Sequence, residues 1–316
     1  MAIHQRLIDI LNLTSKLTKK PHQRVFTTGY TFYTKPPSLL DDLAKAMFTI
    51  NDYHAFYYRQ RSCHPTVALF IECFFQLKHI KLCNCYTDAH VTAQIADDFN
   101  AAIEKFIATV QSDWHQKRIA NAIERNYRRN TASLRHHIDS LFNIHTKLLF
   151  VRIDTHYMKQ TSQFIDIEEA KNDREVFLRE VKKRFNHLIS YFWKVEYGVE
   201  RGFHHHIMFI FNGSKLQNDI SLGKQLGDLW VSLGKNQRTY YNCNADRQKY
   251  LDWGTYGIGA IHYMDIEKRN NLIDYVVNYQ LKPDENLLAV IGMLHRSIGK
   301  MGLPKPSGYG GRPRRY

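Results

Sequence analysis

Near residue 146 the periodicity of this 316-residue chain changes, and that change limits the fold more than any other feature. Before it, apolar residues recur at helical spacing, as in Leu39 to Phe56 and Ala101 to Val110; Val67 to Leu77 is an apolar run open to either a helix or a strand. After it, Lys147 to Asp154 is dense in β-branched and aromatic residues and reads as a strand. Asp166 to Leu188 then places Phe177, Val181, Phe185 and Leu188 on one helical stripe. Ser190 to Tyr197 and Phe203 to Phe211 read as strands joined by a tight turn at Glu200-Arg201-Gly202, and Asn212-Gly213-Ser214 closes the second. Lys215 to Leu233 reads as a helix, Arg238 to Cys243 and Ile258 to Asp265 as strands, and Glu267 to Leu281 as a last helix stopped by Pro283.

The order β-α-β-β-α-β predicts an α+β fold: a ferredoxin/RRM-like split βαβ arrangement with helices on one face of an antiparallel sheet and the other face free for a site. Three regions are expected: a mostly helical region over 1–145, the sheet domain over 146–294, and a basic, flexible tail over 295–316 that carries Lys and Arg but no carboxylate. A role in DNA binding is one expectation for the first region, where Lys117, Arg118, Arg125, Arg128, Arg129 and Arg135 accompany a single carboxylate, Glu124. The bland reading of that stretch is a solvated helix face, the sharper one a phosphate-contacting helix.

The strand Phe203 to Phe211 also carries chemistry. His204 and His206 are two apart, so both imidazoles fall on one face. Reading back across the turn puts Glu196 opposite one of them and on the same face. Two histidines and a carboxylate make a divalent-metal site open to water on one side. Mg²⁺ or Mn²⁺ fits phosphate chemistry, while imidazoles also suit Zn²⁺ or Fe²⁺. His205 points the other way and is expected to pack against a helix with its ring nitrogens hydrogen-bonded. Asp154, ending the first strand, either approaches the site or caps the strand. On the last helix, Tyr275 and Tyr279 are four apart and share a face, with Lys282 a turn further on. A phenol can attack an electrophile held by a metal, and Lys282 can steady the developing charge.

A formal charge of +14 favours a polyanionic partner, nucleic acid first. No run of 18 or more apolar residues occurs, so no membrane partner is expected. Met1 to Lys20 lacks the apolar core of a secretory leader, and five cysteines is an odd number, so a reduced, cytoplasmic protein is expected. Cys63-His64, Cys73, His79, Cys83, Cys85 and His90 follow no regular paired Cys-x-x-Cys spacing, so buried free thiols are expected there rather than structural zinc. No Gly-x-x-x-x-Gly-Lys-Ser/Thr motif points to a fused helicase.

Taken together, Leu149-Phe-Val-Arg-Ile-Asp154, Phe192-Trp-Lys-Val-Glu196-Tyr, Gly202-Phe-His204-His-His206 and Tyr279-Gln-Leu-Lys282-Pro-Asp resemble motifs of the HUH endonucleases. Within that group the chain most resembles the filamentous-phage (inovirus) replication endonucleases, also called the YagK/YfjJ C-terminal domain, over roughly half its length, residues 146–300. The resemblance implies a rolling-circle replication initiator of a phage, prophage or plasmid-like element, acting in a bacterial host. Such an enzyme nicks single-stranded or supercoiled origin DNA, keeps a 5′-phosphotyrosine link and later rejoins the strand; host replication proteins are candidate partners. By position, His204, His206 and Glu196 would hold the ion, and Tyr279 and Tyr275 would alternate as nucleophiles. Two positions depart from the pattern: His205 stands where an apolar residue is usual, and Asn278 where a Lys often precedes the tyrosine. A rival of a different class is a DNA-binding regulator that keeps the fold without catalysis.

Overall fold

Eleven-residue strands can bury both faces only where helices cover both, and the central strands here are buried almost throughout. The computed structural model describes residues 3–19, 42–43, 45–47, 50, 64–78, 93–234, 237–291 and 296–303. The chain is α+β, with a six-stranded antiparallel sheet preceded by helices. It divides into two compact units, residues 1–125 with 284–295, and residues 126–283 with 296–316.

In the first unit, α1 (Ile3–Lys19), α2 (Pro65–Phe74) and α3 (Ala93–Gln111) enclose an apolar core. Leu7, Ile10, Leu13 and Leu17 recur along one side of α1 and meet Phe70, Phe74, Phe99 and Phe106. The run from Val67 resolves into a helix because Pro65 stands in its first turn and the His64 side chain accepts from the Thr66 amide. Within the expected helix Leu39 to Phe56, Leu43, Ala46, Met47 and Ile50 are helical and buried, Asp42 and Lys45 are helical and not buried, and the other residues lie outside those described.

In the second unit, β1 (Lys147–Tyr157), β2 (Leu188–Gly198), β3 (Gly202–Asn212), β4 (Arg238–Asn242), β5 (Gly259–His262) and β6 (Ile298–Lys300) form the sheet, in the order β4-β1-β3-β2-β6. β5 pairs the start of β1, and β4 pairs its end. Since β3 lies antiparallel between β1 and β2, the connection from β1 to β2 through α5 (Ile167–Arg184) joins parallel strands. The connection from β3 to β4 through α6 (Asp219–Ser232) does the same across β1. β2 and β3 form a hairpin whose turn ends at Gly202, φ +65°, where an added Cβ would lie 2.6 Å from the Ser162 carbonyl oxygen.

Both faces of the sheet are covered, where one was expected to be free. α5 and α6 pack on the side of Phe209 and Phe211 through Phe177, Phe185 and Trp230. The opposite side holds Phe150, Phe192, Met208 and Ile210 against Leu134, Ile138, Leu141 and Phe142 of α4 (Asp113–Ile144), and against Leu272, Ile273, Val276 and Val277. Those last four belong to a helix of three pieces: α7 (Ile266–Asn271), a π-helical stretch Leu272–Val277, and α8 (Asn278–Leu281). This second layer covers Met208 and Ile210, further along β3 on the face that carries His204 and His206.

The boundary expected at residue 145 falls instead at 125, because the second half of α4 packs on the sheet. Residues 284–294, expected in the sheet domain, belong with residue 295 to the first unit and include a short helix, α9 (Glu285–Ile291). The expected flexible tail begins as structure: Ile298–Lys300 hydrogen-bonds to β2 as β6, and residues beyond 303 lie outside those described. No helix among the described residues is long and apolar enough to cross a membrane.

Candidate metal centre

Sheet register brings the site together. Glu196 pairs directly with His204, Lys194 with His206, and Asp154 with His206 from the other side. Paired residues share a face, so Asp154, Glu196, Lys194 and both histidines stand on one side of the sheet. One ligand atom each from Glu196, His204 and His206 lies within 4.8 Å of the others.

The ring atoms not facing Glu196 are held from behind. His206 Nδ1 lies 2.8 Å from Asp154 Oδ1, and His204 Nδ1 lies 3.2 Å from the Gly202 carbonyl oxygen. Arg152 Nη2 also lies 3.2 Å from His206 Nδ1, but the nearest partner of each Nδ1 is an acceptor, which favours a proton there and leaves the Nε2 lone pairs free. Those Nε2 atoms lie 3.1 Å (His206) and 3.4 Å (His204) from the same atom, Glu196 Oε2. Two lone pairs and a carboxylate oxygen repel unless a cation sits among them. The donor set therefore fits a divalent ion, with the Asp154–His206 pair forming the carboxylate behind a ligating imidazole. Burial lowers the His206 pKa, but hydrogen bonds accepted by Asp154 and Glu196 outweigh it and raise it above the ordinary value. Burial likewise raises that of Glu196, yet hydrogen bonds from the two histidines and the charge of Lys194 hold it well below the usual carboxylate range.

Each carboxylate also has its own cation. Arg152 donates to both Asp154 oxygens at 3.0 and 3.1 Å, and the Lys194 ammonium donates to Glu196 Oε1 and to the Lys282 carbonyl oxygen, the latter at 2.6 Å. Burial opposes ionisation of Asp154, but Arg152 and His206 prevail and its carboxyl stays well below the usual range.

Arg152 and His156 were missed by sequence reading. Their alternation with Asp154 along β1 was the available signal, since all three face the histidines once β1 runs on to Tyr157. His156 stacks on His204, ring centroids 5.3 Å apart, and its Nδ1 is buried without a hydrogen-bond partner among the described residues. Burial, with His204 adding repulsion, lowers its pKa to about 4. His205 packs behind the sheet near Trp230 as expected, but neither ring nitrogen has a partner among the described residues, contrary to expectation. Burial holds it neutral.

Tyr275 and Tyr279 are 53% and 59% exposed, Tyr275 in the π-helical stretch and Tyr279 in α8. Lys282 is not a further helical turn. The proline that follows it favours extended backbone, and Lys282 ends α8 at ψ 136°. Its ammonium lies 5.0 Å from the centre of the Tyr279 ring. On α4, Lys117, Arg118, Arg125, Arg128, Arg129 and Arg135 are all exposed, and Arg118 lies 5.3 Å from the centre of the Trp114 ring. Of the scattered cysteines and histidines, Cys73 is a half-buried free thiol and His64 caps α2, while Cys63, His79, Cys83, Cys85 and His90 lie outside the described residues; Cys243, apart from that set, is a buried free thiol. Compared with models of protein families, with curated proteins and with solved structures, the chain finds no match.

Proposed function

We propose that this chain is a metal- and tyrosine-dependent enzyme that nicks and rejoins DNA, of the kind that starts rolling-circle replication of a phage, prophage or plasmid-like element. The observation that carries the reading is the convergence of His204 Nε2, His206 Nε2 and Glu196 Oε2, joined through Lys194 to the end of the helix bearing Tyr275 and Tyr279. The strand order β4-β1-β3-β2 supports a ferredoxin/RRM-like sheet of the HUH type, since two interleaved split βαβ units generate that order. The net charge of +14 suits a polyanionic substrate.

In this reading His204, His206 and Glu196 hold Mg²⁺ or Mn²⁺, which when bound polarises the scissile phosphate. Asp154 and the Gly202 carbonyl fix the two imidazoles so that both Nε2 atoms point to one place. The solvent-exposed Tyr279 or Tyr275 hydroxyl gives up its proton to water, and its oxygen attacks phosphorus. A bond forms from the phenolic oxygen to phosphorus as the bond to the 3′ oxygen breaks. The 3′ oxygen takes up a proton and leaves as a free hydroxyl, and the 5′-phosphate stays on the tyrosine. The Lys282 ammonium beside Tyr279 steadies the phenolate as it forms. Rejoining reverses the sequence, a 3′-hydroxyl displacing the tyrosine. Two exposed phenols allow one to carry the strand while the other attacks.

The test is a covalent adduct. With Mn²⁺ and single-stranded or supercoiled DNA from its own element, the protein should form a denaturant-resistant DNA complex that Tyr275→Phe, Tyr279→Phe abolishes. An adduct that survives in the double variant refutes the nucleophile assignment. No adduct on any cognate DNA favours a DNA-binding protein without catalysis.

A further inference from the structure

Lys194 sits in an unusual place for a lysine. It is 5% exposed, in a strand between Trp193 and Val195, and cations so buried are nearly always paired. Its ammonium reaches two acceptors on different elements, Glu196 Oε1 on its own strand and the carbonyl oxygen of Lys282, 88 residues further along the chain. A buried ion pair adds little net stability, because desolvation offsets the attraction. The pairing is therefore better explained by what it positions.

Two consequences follow from the atoms it engages. Glu196 turns Oε2 toward the histidines and Oε1 toward Lys194, so only one carboxylate oxygen is offered to an ion. The Lys282 carbonyl belongs to the C-terminal cap of α8, where helical carbonyls lack intrahelical partners. Lys194 supplies the partner, and the Lys282 amide in turn donates to the Tyr279 carbonyl at 3.3 Å. The last turn carrying Tyr279 is thus tethered to the carboxylate of the metal centre. The charges also balance: Asp154 is matched by Arg152 and Glu196 by Lys194, and the histidines add none when neutral. A divalent ion held there keeps most of its charge for an anionic ligand such as a phosphodiester.

We infer that Lys194 is a positioning residue, which makes Glu196 a one-oxygen ligand, offsets its charge and ties the tyrosine-bearing turn to it. The link to phosphodiester chemistry rests on the proposed function; the tether and the charge balance do not. Two variants separate the parts. Lys194→Met removes the charge and both hydrogen bonds, whereas Lys194→Gln removes the charge and keeps an amide donor. Three readouts apply: Mn²⁺ affinity by titration of free Mn²⁺, amide hydrogen exchange over residues 278–282, and the rate of DNA adduct formation.

Both variants should bind Mn²⁺ about tenfold more tightly, since no cation competes for Glu196. Exchange over 278–282 should quicken in Lys194→Met and stay near wild type in Lys194→Gln. Adduct formation should slow by about 100-fold in Lys194→Met, the usual scale for an ångström of misplacement, with substantial recovery in Lys194→Gln. Unchanged Mn²⁺ affinity in a folded variant overturns the charge role. Unchanged exchange in Lys194→Met, or equal slowing of adduct formation in both variants, overturns the tether. If the wild-type protein forms no adduct, the proposed function fails, while Mn²⁺ binding and exchange still decide the role of Lys194. If Lys194→Met does not fold, Mn²⁺ binding by Lys194→Gln decides the charge role and its exchange the tether, which faster exchange despite the retained donor would overturn.

Discussion

Replacing Asp154 by Asn should weaken metal binding without touching a ligand. Asp154 Oδ1 lies 2.8 Å from His206 Nδ1 and holds a proton on that nitrogen. An Asn amide can rotate its NH₂ toward Nδ1, which moves the imidazole proton to Nε2, the atom facing Glu196. The lone pair that an ion needs is then lost in part of the population. Changes behind a ligating histidine typically cost 10–100-fold in affinity, or about 1.4–2.7 kcal/mol. The same substitution strands Arg152, which is buried and shares both Asp154 oxygens. An unpaired buried charge costs about 3–5 kcal/mol, and since the amide oxygen still accepts one hydrogen bond the lower figure, about 3 kcal/mol, is expected. Mn²⁺ titration and urea denaturation read the two effects separately. The double variant Arg152→Met, Asp154→Asn should recover much of the stability and none of the affinity. A folded Asp154→Asn protein that binds Mn²⁺ within about threefold of wild type would refute the assignment of Asp154 as the carboxylate behind His206.

Two further outcomes concern the scaffold. Burial lowers the His137 pKa to about 4, with Lys300 and His136 adding repulsion, and its Nε2 lies 2.7 Å from Ser190 Oγ. The unfolded chain takes up this proton near pH 6.5 and the folded protein only near 4, so the contribution is full above 6.5 and is lost as pH falls through that window. At 1.4 kcal/mol per unit the loss is roughly 3 kcal/mol, and urea denaturation at pH 7.5 and 4.5 should show a smaller drop for His137→Gln; equal drops would contradict it. Gly202→Ala forces alanine to φ +65° with its Cβ 2.6 Å from the Ser162 carbonyl oxygen. The conformation alone costs about 1–3 kcal/mol, so the melting temperature should fall, and Mn²⁺ affinity with it because the Gly202 carbonyl holds His204; wild-type values for both would contradict the role given to this turn.

The pairing of Glu196 with His204 was legible because a short hairpin fixes register, and register fixes faces. Asp154 was legible as a residue but not as a neighbour. Its approach to His206 depends on β1 lying beside β3, a contact between strands separated by a helix and another strand. Arg152 and His156 were hidden for the same reason, and Lys194 more deeply, since its second partner is a main-chain oxygen that side-chain patterns do not reveal. The second helical layer was invisible because Leu134, Ile138, Leu141 and Phe142 give α4 an apolar stripe without naming the surface it covers. Pro283 marked the end of the tyrosine helix correctly, while its π-helical stretch has no recognisable sequence signal.

β6 has a bearing on how the protein keeps to itself. A strand at the rim of a sheet offers unpaired amides and carbonyls to any passing chain. β2 would be that rim, but Ile298–Lys300 covers Phe192 to Lys194, with the Val195 amide donating to the Ser297 carbonyl and the Met301 amide to the Tyr191 carbonyl at each end. A chain cut after residue 295 would present the strand bearing Lys194 and Glu196 as a sticky border. Self-association would then begin beside the metal centre, on the outer side of the strand that supplies its carboxylate.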